Sequence, residues 1–182
     1  AQTLDGRIAE APGRRTAITG PEARVETHRL RAGFDGVLVG SGTVRVDDPL
    51  LTVREGVSAR QQTTRVVLDS EARTPPDARL FQDVPVAPLV IFTHEEAPDE
   101  RVGSLRDAGA RVHRVEPGPG GLSLAQVLAR CWSEGLRSLF CEGGGRLASN
   151  LMAGGTARRL YLFVAPFVLG ETAVPAFPGL TS

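Results

Sequence analysis

The chain is poor in the residues that build disulfide or metal frameworks. It has two cysteines, Cys131 and Cys141, in 182 residues, and no C-x-x-C. Both lie in apolar runs, Cys131 in a helix-like one and Cys141 in a strand-like one. That points to plain buried thiols in a reducing compartment rather than to a disulfide or a zinc site. The three histidines, His28, His94 and His113, are scattered. With no P-C-x-x-C anywhere in the chain, the two-part signature of zinc-dependent base deaminases is missing, and each histidine reads as an ordinary surface or core residue. No metal is expected. No apolar run approaches the ~20 residues of a membrane span, and no signal-peptide pattern precedes the first motif, so a cytoplasmic protein is expected. Charge of either sign is not in excess: Lys+Arg and Asp+Glu both total 21. No global field attracts nucleic acid or an anionic membrane, and any binding of phosphate must be local. The cations are arginines, which suit bidentate contacts to phosphate or carboxylate.

What is present is ordinary globular composition, 41% hydrophobic and 23% charged, in a length that suits one domain. Short Val-, Ile-, Leu- and Phe-rich runs recur at residues 36–40, 65–69, 88–93, 110–115, 137–142 and 159–166. Bounded by Gly, Pro or charge, they read as buried strands. Helical segments lie between them. One opens at Pro21 and closes on Gly33, a second runs from Asp99 to Gly109, a third from Ser123 to Gly135, and the last spans "GRLASNLMAGG". Alternating strands and helices imply an α/β protein of three layers, α/β/α, with a mostly parallel central sheet flanked by helices. The turn-rich stretches 82–88 and 116–121 separate no domains, so residues 1–182 are read as a single domain. The opening "AQTLDGRIA" starts partway through an element and no strand closes the chain after "FPGLTS". Part of the first strand and the C-terminal strands are therefore expected to lie outside these residues.

The stretch "LFCEGGGRLASNLM", Leu139 to Met152, places three glycines between a strand and a helix. Glycine costs backbone entropy, so the backbone there goes where a side chain is forbidden. A strand, glycines and a helix start together aim free N–H groups at an anion, and the helix dipole adds to the attraction. The loop is neither G-x-G-x-x-G nor a Walker loop. On its own it is equally well a tight turn for close helix–strand packing. A second constellation, "DGVLVGSGTVRVDDPLLTVR" (Asp35 to Arg54), again ends a strand in glycines at a carboxyl edge, where open α/β sheets bind ligands. Taken alone, Asp47-Asp48-Pro49 is a solvated turn and Arg54 a surface cation.

Five blocks in order resemble one family: "TLDGRIA", "ITGPEAR…HRLRAGFDGVLVGSGTVRVDDPLLTVR", "RVVLDS", "CEGGGRLASNL" and "VAPFVLG". They look like the riboflavin-pathway pyrimidine reductases, which also form the reductase domain of a bifunctional deaminase–reductase. The resemblance implies a dihydrofolate-reductase-like fold. It also implies hydride transfer from NADPH to C1′ of a phosphorylated ribosylaminopyrimidine such as 5-amino-6-(5-phosphoribosylamino)uracil, and a homodimer. It places Gly144, Gly145, Arg146, Leu147, Ala148, Ser149 and Asn150 around the cofactor pyrophosphate. Thr43, Asp47, Ser70 and Ala1 fall at other cofactor positions. Arg31, Leu51, Arg54 and Glu142 fall at substrate positions, the two arginines as a phosphate clamp. Glu142 or Asp5 would manage the proton at the ribose ring oxygen. Two departures stand out. Arg15 and Ala17 replace a serine and a tryptophan common in the family, and Arg15 is read as a substitute phosphate ligand. The alternatives left open are a similar reductase for a pterin or a specialised-metabolite precursor, and a non-catalytic nucleotide-binding scaffold.

Overall fold

The computed structural model describes residues 1–180. In chain order the elements are β1 (Gln2–Thr3), β2 (Arg7–Ala9), α1 (Pro21–Ala32), β3 (Gly36–Gly40), α2 (Ser41–Asp47), β4 (Thr64–Leu68), a 3₁₀ turn (Arg79–Phe81), β5 (Leu89–His94), α3 (Asp99–Asp107) and β6 (Arg111–Val115). They continue with β7 (Pro117–Gly118), β8 (Gly121–Leu122), α4 (Leu124–Ser133), β9 (Leu139–Cys141), α5 (Gly145–Ala153), β10 (Val164–Ala165) and β11 (Val174–Pro175). Five of the strands form one fully parallel sheet in the order β6-β5-β4-β3-β9. The remaining strands form two-residue ribbons: β1 beside β10, β2 beside β11, and the hairpin β7–β8.

Both faces of the sheet are covered, which is why its strands are continuous apolar runs rather than alternating ones. On one face Val37, Val39, Val67 and Ile91 meet Val44 of α2 and Val102 and Leu105 of α3. On the other, Leu38, Val66, Val90 and Phe92 meet Val127 and Cys131 of α4, with Leu147 and Leu151 of α5. This is the three-layer architecture expected. Within β4, the fully buried Arg65 donates to the carbonyls of Gln82 and Ala87 and so ties down the turn-rich stretch before β5. Burial pushes its guanidinium down to about 10.

Two expectations need correction. The run 159–166 is a strand only at Val164–Ala165, where it pairs with Gln2–Thr3. Residues Arg159 to Phe163 instead line a cavity; apolar sequence makes a strand only where another strand lies beside it. The run 137–142 shortens to Leu139–Cys141 because the Asp35 carboxylate accepts from the backbone N–H groups of Arg137 and Ser138, at 2.8 and 2.9 Å. One helix went unread: α2, whose glycine and β-branched residues are poor helix formers. Burial of Val44 against the sheet, at 1% exposure, outweighs that propensity.

Candidate active site at the carboxyl edge of the sheet

Strands β4, β3 and β9 are neighbours and run parallel, so the segments that follow them emerge at one edge. After β4 comes Ser70, after β3 comes α2 with Thr43 and Asp47, and after β9 come Glu142 and the glycines that open α5. Fold topology thus collects residues drawn from three distant parts of the chain.

The three glycines do different work. A Cβ on Gly143 would meet the Leu147 side chain at 2.7 Å, a neighbour able to shift. On Gly145 it would stand 2.4 Å from the carbonyl oxygen of Ala176 and 2.9 Å from that of Pro175, so this glycine admits the segment 175–178 against the helix. Gly144 is open, with no atom within 4 Å of its Cβ position. It is the N-cap of α5, and no side chain caps the helix. Among the described residues no side-chain hydrogen bond therefore satisfies the positive end of this dipole. Arg146 is exposed beside it, and Ser149 is buried with no partner for its hydroxyl. Leu147 packs into the core, while Ala148 lines the cavity described below. Asn150 reaches over the β7–β8 turn, its amide nitrogen 2.2 Å from where a Cβ on Gly120 would be. The Ser70 hydroxyl lies 3.7 Å from the corresponding point on Gly121. Ser70, Asn150 and this hairpin are thereby gathered into one place, and the role of Gly120 and Gly121 there was not legible from the sequence. An open glycine at an uncapped helix start, an orphaned buried hydroxyl and a nearby free cation fit a phosphate-bearing dinucleotide.

A second group surrounds Glu142. Arg31 Nε and Nη2 donate to its two carboxylate oxygens at 2.8 and 2.7 Å, and Arg31 Nη1 donates to the carbonyl of Thr52. The arginine side chain is 7% exposed and the carboxylate 19%. Arg31 is thus committed to Glu142 and to the loop, and less free to clamp a phosphate than its position in the sequence suggested. Arg54 differs. Its side chain is exposed and makes no ion pair among the described residues. Partial burial, with Arg31 and Arg79 nearby, holds its guanidinium below the ordinary arginine value. Such an arrangement of like charges is relieved by an anion. Leu51 is 3% exposed with its side chain in the core, and only its backbone is offered to the loop.

Ala1, Glu142, Gly143 and Gly145 border a cavity of about 670 Å³ that continues along Phe140 and Tyr161. Arg15 lies 3.8 Å from Asp47 in an exposed pair, and burial raises the Asp47 carboxyl. Thr43 sits half-buried one turn earlier on α2. Asp5 accepts from the backbone N–H groups of Leu169 (3.2 Å) and Gly170 (2.8 Å) and from the Thr3 hydroxyl. The Thr3 hydrogen bond, foremost, holds its carboxyl below the usual range. Asp5 is built into a turn. Among the described residues no cluster of three or more His, Cys, Asp or Glu side chains is arranged to hold a metal ion, and no helix is long and apolar enough to cross a membrane.

The chain is 40% identical over 171 residues to the 2,5-diamino-6-ribosylamino-4(3H)-pyrimidinone 5′-phosphate reductase of Methanothermobacter thermautotrophicus, covering 93% of this chain and 76% of that protein. It is 33% identical over 177 residues to the riboflavin biosynthesis protein RibD of Chlamydia pneumoniae, covering 96% of this chain but only 46% of that one. The solved structure of RibD from Acinetobacter baumannii superposes over 100% of this chain and 48% of its own, with a TM-score of 0.81 at 27% identity. The model of the RibD C-terminal domain matches residues 1–182 throughout, and the chain belongs to that family.

Proposed function

We propose that the chain is a nicotinamide-dependent reductase of riboflavin biosynthesis. It uses NADPH to reduce the ribosyl group of a phosphorylated ribosylaminopyrimidine, of the 5-amino-6-(5-phosphoribosylamino)uracil type, to the ribityl form. The observation that carries the reading is an uncapped helix start with an open glycine at the sheet edge from which Glu142 emerges, together with Arg54, which makes no ion pair among the described residues and stands near the Arg31 that holds Glu142. The first suits the cofactor's pyrophosphate and the second the substrate's phosphate.

In this reading the backbone N–H groups after Gly144, with Arg146, Ser149, Asn150 and Ser70, hold the dinucleotide. Thr43 and Asp47 approach it from α2, and Ala1 borders the same cavity. When bound there, the reduced nicotinamide supplies the hydride that converts C1′ to a methylene. Arg54 anchors the ribose 5′-phosphate. Glu142, oriented by two bonds from Arg31, accepts a hydrogen bond from the substrate and fixes C1′ in place. Positioning of this kind supplies much of the rate in such a transfer. Ring opening delivers a proton to the ribose oxygen. Glu142 is the better placed of the two carboxylates to direct it, because the Asp5 oxygens are occupied by the Thr3, Leu169 and Gly170 donors. The exposed apolar residues Leu160, Leu162, Val164 and Phe167 would serve a homodimer.

The test is oxidation of NADPH with the ribosylaminopyrimidine phosphate, offered separately in its diamino and deaminated forms, by wild type and by Arg54→Ala. Turnover with a KM for substrate raised at least tenfold in the variant is expected. Turnover of a dihydropterin instead, or none with the cofactor still bound, refutes the substrate assignment.

A further inference from the structure

The buried residues of α1 are unusual for a helix: they are His28 and Arg31 rather than aliphatic ones. Both side chains reach the same loop. His28 Nδ1 accepts the backbone N–H of Arg54 at 3.0 Å, and Arg31 donates to the carbonyl of Thr52. Between them, the side-chain amide of Gln62 bonds both backbone groups of Val53, accepting at 2.8 Å and donating at 3.3 Å. Three consecutive backbone positions are thus pinned by side chains, two from α1 and one from the far end of the same connection. The loop needs pinning, because Asp48, Leu51 and Glu55 all adopt left-handed backbone, with φ of 40°, 56° and 57°. Non-glycine residues pay for that conformation, and it persists only where the surroundings over-determine it. The result is an arginine with a locked backbone and a free side chain.

We infer that His28 is a positioning residue for Arg54, fixing through its backbone N–H the point from which the guanidinium reaches the substrate's phosphate. The inference rests on Arg54 being the phosphate ligand. Acceptance at Nδ1 requires the ring to be uncharged there, with its proton on Nε2. Burial, aided by Arg31 and Arg54, keeps the imidazole below its ordinary value and so neutral. Histidine suits the place for a further reason. A carboxylate would accept the same N–H but would also compete for the Arg54 guanidinium, whereas a neutral imidazole accepts without quenching that charge.

Replacing the acceptor tests this. His28→Ala is expected to raise KM for the phosphorylated substrate about tenfold, with kcat and KM for the nicotinamide cofactor held within about twofold. His28→Asn places an amide oxygen near the Nδ1 position and should restore most of the loss. In an Arg54→Ala background, His28→Ala should add nothing, because its effect passes through Arg54. An unchanged KM in His28→Ala, or an equal further loss in the Arg54→Ala background, overturns the inference. Hydrogen exchange at the Arg54 amide decides the matter apart from catalysis. Protection in wild type that is lost in His28→Ala and regained in His28→Asn supports the inference, and fast exchange in wild type refutes it. Absence of any turnover by wild type would instead count against the substrate assignment and leave the exchange measurement to judge His28.

Discussion

Removing the carboxylate of Glu142 while keeping its shape, as in Glu142→Gln, strands a guanidinium whose side chain is 7% exposed. Of the three hydrogen bonds donated by Arg31, two go to Glu142 and one to Thr52. Losing one partner of a buried pair typically costs 3–5 kcal/mol. The glutamine oxygen keeps one of the two bonds, but its amide hydrogens face a donor. Together with the 19% exposure of the position, this lowers the expected cost to about 2–3 kcal/mol. Arg31→Met should cost a similar ~2–3 kcal/mol, since it leaves the carboxylate unpaired and frees the Thr52 carbonyl. The double variant has no stranded charge, so it should fall short of the sum by at least about 2 kcal/mol. For a chain of this length each single change corresponds to a fall in Tm of roughly 4–12 °C. Urea unfolding followed by circular dichroism measures all three. Fluorescence is a poorer probe, because Trp132 is 61% exposed and lies under Arg137 already. Single costs below about 1 kcal/mol with an additive double variant would refute the reasoning, because they are what a solvent-screened pair gives.

Three further outcomes follow from the same geometry. Gly145→Ala places a methyl against two backbone carbonyls of the segment 175–178; it should destabilise by about 1–3 kcal/mol in urea unfolding, while Gly144→Ala, which meets nothing, should cost well under 1 kcal/mol. Gly144→Asp, by contrast, puts a negative charge on the uncapped helix start and should weaken NADPH binding at least tenfold in a fluorescence titration without loss of Tm. Burial holds the imidazoles of His28 and His113 below the ordinary histidine value of about 6.5. Because the unfolded chain then takes up protons more readily than the folded one, their contribution is fully present above about pH 6.5 and lost as pH falls toward the folded values. Urea midpoints should drop between about pH 7.5 and pH 5.5, and the His28→Asn/His113→Asn double variant should flatten that drop.

Much of the architecture was legible because buried parallel strands are continuous apolar runs, and five of the six runs became the five sheet strands. The sixth, 159–166, has the same composition, yet only two of its residues find a partner strand. Pairing is a property of the neighbour, which a single stretch does not reveal. Helix α2 was hidden for the opposite reason: its residues disfavour helix, and burial of Val44 overrides them. At the site, the glycine loop stood out by residue type, whereas Arg54 and Glu142 were singled out only through the resemblance of the blocks around them. The separate tasks of Gly143, Gly144 and Gly145 did not, because what each one meets lies elsewhere in the chain. His28 and Gln62 were silent because their partners are main-chain groups 26 and 9 residues away, and every residue carries such groups. The commitment of Arg31 to Glu142 spans 111 residues and likewise leaves no local trace.

The central claim is that the carboxyl edge of the sheet brings a dinucleotide and a phosphorylated ribosylaminopyrimidine together through Gly144 and Arg54. The most direct measurement is substrate-dependent NADPH oxidation by wild type, Arg54→Ala and Gly144→Asp, each with separate titrations of cofactor and substrate. The account predicts wild-type turnover, an increase of at least tenfold in substrate KM confined to Arg54→Ala, and a comparable increase in cofactor KM confined to Gly144→Asp. Wild-type cofactor binding without turnover of either pyrimidine, or variants that alter both constants equally, would contradict it.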